Sequence, residues 1–387
     1  MNLPELERDF VRQYGASKEK IHAFFAPGRV NLIGDHIDYN GGSVLPVTLT
    51  MGVTLLIRKR KDQDLHFHST KSDKDHSWSL SEAEWTYQPN KDWSNYPAGV
   101  IQLLRKGQIE ISGADLFYSS TLPIGAGLSS SAAMEVVTGF AFIKLAGVEP
   151  HLKSLSLLCQ EAENMFVGMN CGIMDQFAVA HGQENQAILL DTRNLEHEMI
   201  PADFGTFKLI IVNSKVEHQH STSGYNTRRI ESTQALLELR KHQPDLEYLC
   251  DATFTQVEEL IEDLTLQARA RHAVWENQYV LEAVEALKDG DLIDLGESFD
   301  ASHLSLSNDY EVSTPEVDML VDVCRQVDGC IGARMTGGGF GGCVIALVHE
   351  SEEKAFKDFV AEHYEKVSNL KPEFYDTNIG PGVHQIY

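Results

Sequence analysis

Positive charge is what this 387-residue sequence has least of: 32 lysines and arginines stand against 57 aspartates and glutamates, a formal net charge of −25. Nucleic acid and an anionic membrane surface are repelled by such a chain, so neither is expected as a partner. Cysteine is sparse too. The six, Cys159, Cys171, Cys250, Cys324, Cys330 and Cys343, fall at irregular spacings without a Cys-x-x-Cys, which excludes a disulfide framework and a cysteine zinc site and suits free thiols in a reducing compartment. Long apolar runs are missing: residues 209–212 and 344–348 are far too short to span a bilayer and read as buried strands. The first ten residues hold no basic segment followed by an apolar run, so no signal peptide is expected and the expected location is cytoplasmic. No internal repeat interrupts this ordinary globular composition.

Two familiar nucleotide loops are also absent, although glycine is concentrated in two places. Pro123-Ile-Gly-Ala-Gly-Leu-Ser-Ser-Ser-Ala-Ala133 lacks the Gly-Lys-Ser/Thr ending of a Walker loop and the Gly-x-Gly-x-x-Gly of a dinucleotide fold. What it has is Gly125 and Gly127, which permit the positive φ that lets backbone amides converge, and then three serines opening a helix whose free amides and dipole attract phosphate. Arg334-Met-Thr-Gly-Gly-Gly-Phe-Gly-Gly-Cys343 puts five glycines into six positions, which strips away side-chain bulk where backbone must approach something closely. The two stretches read as walls of one anion site. In so acidic a chain, attraction for phosphate must be local, from oriented amides, a few arginines and a divalent metal.

A third stretch, Gly28-Arg-Val-Asn-Leu-Ile-Gly-Asp-His-Ile-Asp-Tyr-Asn40, runs from a short apolar strand into Asp35, His36, Asp38 and Asn40. Carboxylates, an imidazole and an amide within six positions suit the vicinal hydroxyls of a polyol; the same composition suits an Asx-rich turn, and a metal fits less well because the spacing is not that of a known ligand set.

Periodicity predicts an α+β chain. A helix is expected near residues 6–14 and strands at 21–25, 30–33, 44–49 and 53–58, with an alternating edge strand at 65–68. Helices are expected over 134–145 and 151–166 and from 221 to about 325, and a strand, glycine loop and strand over 329–349 precede a helix near 352–364. The length exceeds one hydrophobic core, so two domains are expected, residues 1–195 with a mixed sheet and 196–387 with an α/β arrangement, and a ligand cleft between them.

The three motifs, in this order and spacing, resemble those of the small-molecule kinases that include galactokinase, homoserine kinase, mevalonate kinase and phosphomevalonate kinase. Cys171-Gly-Ile-Met-Asp-Gln176 and Ser223-Gly-Tyr-Asn-Thr-Arg-Arg229 narrow the resemblance to the galactokinase family, over residues 20–345. One departure stands out. Where galactokinases usually carry Glu-His-Thr-Asp, this chain has Asp35-His36-Ile37-Asp38, one methylene shorter at the first carboxylate. The resemblance implies transfer of the γ-phosphoryl group of ATP to the anomeric hydroxyl of α-D-galactose. It implies Asp175 as the proton acceptor with Arg29 as partner, sugar contacts from Asp35, His36, Asp38, Asp175 and Tyr225, and phosphates surrounded by Gly125, Ala126, Gly127, Leu128, Ser129, Ser130, Ser131, Gly337, Gly338 and Gly339. Mg2+ would be held by Glu163 with Ser131 or Ser130. Because of Asp35 and Ile37, a kinase for N-acetylgalactosamine, arabinose or galacturonate is the alternative. A sugar- and ATP-binding sensor that catalyses nothing is disfavoured, since Ser130, Ser131, Ala132 and Ala133 are all present.

Overall fold

The computed structural model describes residues 2–123, 125–216 and 221–387, with backbone alone for Ser221 and Thr222; Ile124 of the first glycine stretch lies outside them. Among the described residues eight strands precede residue 202: β1 (Ile21–Asn31), β2 (Ser43–Val44), β3 (Pro46–Lys59), β4 (Asp64–Ser69), β5 (His76–Ser79), β6 (Ala114–Ser120), β7 (Gln186–Asp191) and β8 (Glu196–Pro201). Five follow: β9 (Phe207–Asn213), β10 (Cys330–Thr336), β11 (Cys343–His349), β12 (Glu373–Tyr375) and β13 (His384–Gln385).

The first sheet runs β13-β1-β3-β6-β4-β5, with β7 joined to β3, β2 and β8; the second runs β10-β11-β9-β12. The strand just past residue 195, β8, still pairs with β7, and β13 returns to β1, so the first sheet draws strands from both ends of the chain. In β4 the alternation buries Leu65 and Phe67 and leaves His66 and His68 half-buried. The unbroken apolar run of β11 has another cause, since both faces of its sheet are covered. Cys343, Ile345 and Leu347 face the main core, while Val344, Ala346 and Val348 face a second core closed by helices Pro315–Arg325 and Glu353–Ser368. Those helices present Val317, Leu320, Val321 and Cys324, and Phe356, Val360 and Tyr364, at the three- and four-residue intervals that make one apolar stripe. Among the described residues no helix is long and apolar enough to cross a membrane.

The sequence suggests two strands over 21–33 and two over 44–58, whereas the structure has one long β1 against one long β3. A bulge between Pro27 and Arg29 shifts their register and accounts for the apparent break. Bulges re-aim the side chains beside them. Here the re-aimed residue is Arg29.

Candidate active site

The two sheets meet where the end of β1 lies against the end of β10. Thr336 Oγ1 accepts from the Asn31 amide at 3.0 Å and donates to the Asn31 carbonyl at 2.9 Å, and the buried Arg334 donates to the Leu32 carbonyl at 2.7 Å. A cleft of about 400 Å³ opens beside this seam, a size suited to a small ligand. All the site residues expected from the sequence line it except Ala126, which is buried in the core.

Arg29 and Asp175 form its centre. Asp175 lies in the first turn of helix Met174–His181, and Arg29 grips it as a fork, Nε to Oδ1 and Nη2 to Oδ2, both at 2.8 Å. The remaining nitrogen, Nη1, donates to the Gly127 carbonyl at 2.7 Å, tying the pair to the first glycine stretch. Arg29 is 4% exposed and Asp175 29%, so both line the cleft but the carboxylate is the more open of the two. Ser129 Oγ adds a further donor to Asp175 Oδ2 at 2.6 Å.

The wall built from residues 35–40 is stitched to the third motif. Asp35 Oδ1 accepts from the Gly337 amide at 3.1 Å and Oδ2 from Arg334 at 2.6 Å. Burial pushes the Asp35 carboxyl up, and Arg334 opposes it. His36 is neutral, since burial holds it down at about 4. Its Nε2 donates to the Gly338 carbonyl at 3.2 Å, which leaves Nδ1 to accept from the Tyr39 hydroxyl at 2.8 Å, so both ring nitrogens are engaged within the protein. Asp38 Oδ2 accepts from the Met174 amide at 3.1 Å, and burial raises its carboxyl to about 6. A Cβ at Gly172 would fall 1.8 Å from that oxygen, which is why no side chain fits there. Tyr225 packs its ring on His36, centroids 5.1 Å apart.

On the other side lies the anion cradle. Gly125 and Gly127 have φ of 66° and 72°, turning the chain into the N-terminus of helix Ser130–Leu145. Beyond it, Glu163 sits on a π-turn, Ala162–Val167, and is 4% exposed. Gln176 Nε2 bridges Glu163 at 2.6 Å and the fully buried Glu135 at 3.1 Å. Burial first, and the charge of Asp175 second, push the Glu163 carboxyl up to about 7, and Ser131 is hydrogen-bonded to it. Three carboxylates this close, touched by one arginine, are an environment that a divalent cation would relieve. Among the described residues no group of three or more His, Cys, Asp or Glu is placed to hold a metal ion.

The cleft also contains Trp93, Tyr96 and Met134, which sequence reasoning missed. Helix Asn95–Lys106 carries Tyr96, and no motif marks it. Glu276 was missed as well. Fully buried on helix Leu264–Asp289, it accepts from the amides of Gly34 at 2.8 Å and Asp35 at 3.0 Å and so holds the loop of residues 34–40 from behind.

Comparison with known proteins agrees with this geometry. The chain matches the galactokinase galactose-binding signature over residues 8–59, the GHMP kinase N-terminal domain over 95–183 and the GHMP kinase C-terminal domain over 283–366. It is 43% identical to a galactokinase of Halalkalibacterium halodurans over 368 residues, covering 94% of this chain and 93% of that one. The crystal structure of Lactococcus lactis galactokinase complexed with galactose superimposes with a TM-score of 0.95 at 37% identity, over 99% of this chain and 100% of the other. Methanococcus jannaschii mevalonate kinase shares the fold, with a TM-score of 0.67 at 20% identity over 94% and 99% of the two chains. On the strength of these matches along nearly its whole length, the chain belongs to the galactokinase family.

Proposed function

We propose that the cleft transfers the γ-phosphoryl group of ATP to the anomeric hydroxyl of α-D-galactose, giving α-D-galactose 1-phosphate and ADP. The observation that carries this reading is Asp175, reachable from the cleft, gripped by Arg29, and standing between the Asp38 wall and the cradle. The sugar lies against Asp38 and Tyr225, with Asp35 and His36 forming the wall behind, and its anomeric hydroxyl points at Asp175. In the transfer the sugar O–H bond breaks and its proton passes to a carboxylate oxygen of Asp175. The sugar oxygen bonds to the γ-phosphorus, and the bond to the β,γ-bridging oxygen breaks with its electron pair leaving on ADP. Arg29 balances charge on the carboxylate and on the developing sugar oxygen. The amides at the start of helix Ser130–Leu145 receive the phosphates, and the faces of Trp93 and Tyr96, with Met134, receive the adenine.

Glu163 with Ser131, or Ser130, would hold Mg2+, which when bound neutralises phosphate charge. The free thiols support a cytoplasmic location. The test is to offer a panel of free sugars with ATP and Mg2+ and to locate phosphate on the product by NMR. Phosphate on the anomeric carbon of galactose, and turnover lowered by several orders of magnitude in Asp175→Asn with galactose binding kept, is the expected result. Preference for another sugar, or near-normal turnover in the variant, overturns the reading.

A further inference from the structure

A serine immediately before a helix ordinarily adopts an extended backbone and turns its oxygen onto the second or third helical amide. Ser129, before helix Ser130–Leu145, does neither. Its backbone is left-handed, φ 57° and ψ 43°, and among the described residues its hydroxyl caps none of the helix's own amides. Twisted this way, the hydroxyl leaves the helix end open and donates to Asp175 Oδ2 at 2.6 Å, the length of a charge-assisted bond. Ser129 is 5% exposed, and a left-handed backbone is unfavourable for a residue bearing a Cβ unless its surroundings over-determine it.

We propose that Ser129, which the sequence suggests as a phosphate contact, is a positioning residue for Asp175; the inference rests on the role proposed above for that carboxylate. The Arg29 fork reaches the carboxylate from β1. Ser129 adds a donor from another element, the cradle on which the phosphates rest. With Arg29 Nη1 on the Gly127 carbonyl, it fixes the separation between the acceptor of the sugar proton and the site of the phosphoryl group. A small error in that separation is costly, because transfer requires near-contact geometry. The same twist that aims the hydroxyl at Asp175 keeps the first amides of the helix free for the nucleotide, so one residue serves both halves of the site.

Glycine accepts a φ of 57° without strain, so Ser129→Gly removes the hydroxyl and keeps the backbone. Three measurements on the full chain test the proposal: kcat and KM for each substrate, the Kd of a non-hydrolysable ATP analogue by calorimetry, and turnover of Ser129→Gly combined with Asp175→Asn. Expected is a kcat lowered roughly 10- to 100-fold with KM for ATP and the analogue Kd within about threefold of the parent, and no further loss when the change is made in the Asp175→Asn background. A tenfold weaker analogue Kd with kcat retained would make Ser129 a phosphate contact and overturn the proposal while leaving Asp175 in place. An equal loss in both backgrounds would show that Ser129 does not act through Asp175. Near-normal turnover of Asp175→Asn alone would overturn both readings.

Discussion

Arg334 is wholly buried, so its charge has to be balanced inside the protein. It meets Asp35 Oδ2 at 2.6 Å and Glu276 Oε1 at 3.5 Å, and Glu276 also accepts from Ser302 Oγ at 2.6 Å. Removing one member of such a group leaves the others uncompensated in a low-dielectric interior. Arg334→Met is therefore expected to lower unfolding stability by about 3–5 kcal/mol, and adding Asp35→Asn to recover part of that loss. Urea unfolding checks it; a double variant no more stable than the single one would mean that charge pairing is not what Arg334 supplies. The same contacts bear on the short carboxylate of this chain. Asp35 is held back against the wall by Arg334 and the Gly337 amide, and an added methylene would carry its oxygens about 1.5 Å further. Asp35→Glu should consequently discriminate more strongly against galactose analogues altered at the hydroxyl facing it, because rejection depends on an unpaired buried group. Equal ratios of kcat/KM in the two proteins would discard that expectation.

Helix Leu264–Asp289 shows how an element serves a site it does not line. His272 and Glu276, one turn apart on one face, both reach the loop around Asp35, His272 through Nε2 to the Asp35 carbonyl at 3.1 Å and Nδ1 to Ser305 Oγ at 2.9 Å. Burial holds His272 down at about 4. Between there and 6.5 the unfolded chain binds a proton at this position that the folded chain refuses, so its contribution to stability falls as pH drops from about 6.5 to about 4. His272→Gln should flatten the fall of unfolding stability with acidification by up to about 1.4 kcal/mol per pH unit within that window. Denaturant unfolding at several pH values decides it, and an unchanged slope would remove His272 from the account. None of this was legible in the sequence. Asp35, His36, Asp38, the serines and the glycines announce themselves because unusual residue types crowd together, whereas Glu276 stands alone in a helical stretch and Arg334 carries no sign of its partner until the fold brings them across 241 and 299 positions to Asp35. The long β1 and β3 were legible as apolar segments but not as continuous strands, since a bulge and Gly52 mimic breaks. The sequence of the turn Ala162–Val167 reads as plain helix, because widening to a π-turn leaves the apolar spacing nearly unchanged.

At the scale of the whole molecule, the chain ends where it began. After β12 on the second sheet, the last ten residues cross back over the first half. The Gly380 amide donates to the Thr48 carbonyl at 2.9 Å, Gly382 to Gly182 at 2.7 Å and Val383 to Val179 at 2.9 Å, and Ile386 to Ala23 at 2.8 Å as β13 lies along β1. Two of these acceptors, Val179 and Gly182, lie in and just after helix Met174–His181, which carries Asp175 in its first turn. The tail thus closes an edge of the first sheet and braces the helix that carries Asp175. Deleting residues 378–387 should therefore loosen the N-terminal half rather than the sheet from which the tail departs. Hydrogen exchange is expected to quicken at residues 174–182 and 21–26 and to stay near the full-length rate at 343–349, and kcat is expected to fall more than the affinity for ATP, because the helix bearing Asp175 is braced less while the cradle is untouched. Loss of protection spread evenly over both sheets would show instead that the tail stabilises the molecule only globally, and that the position of Asp175 does not depend on it.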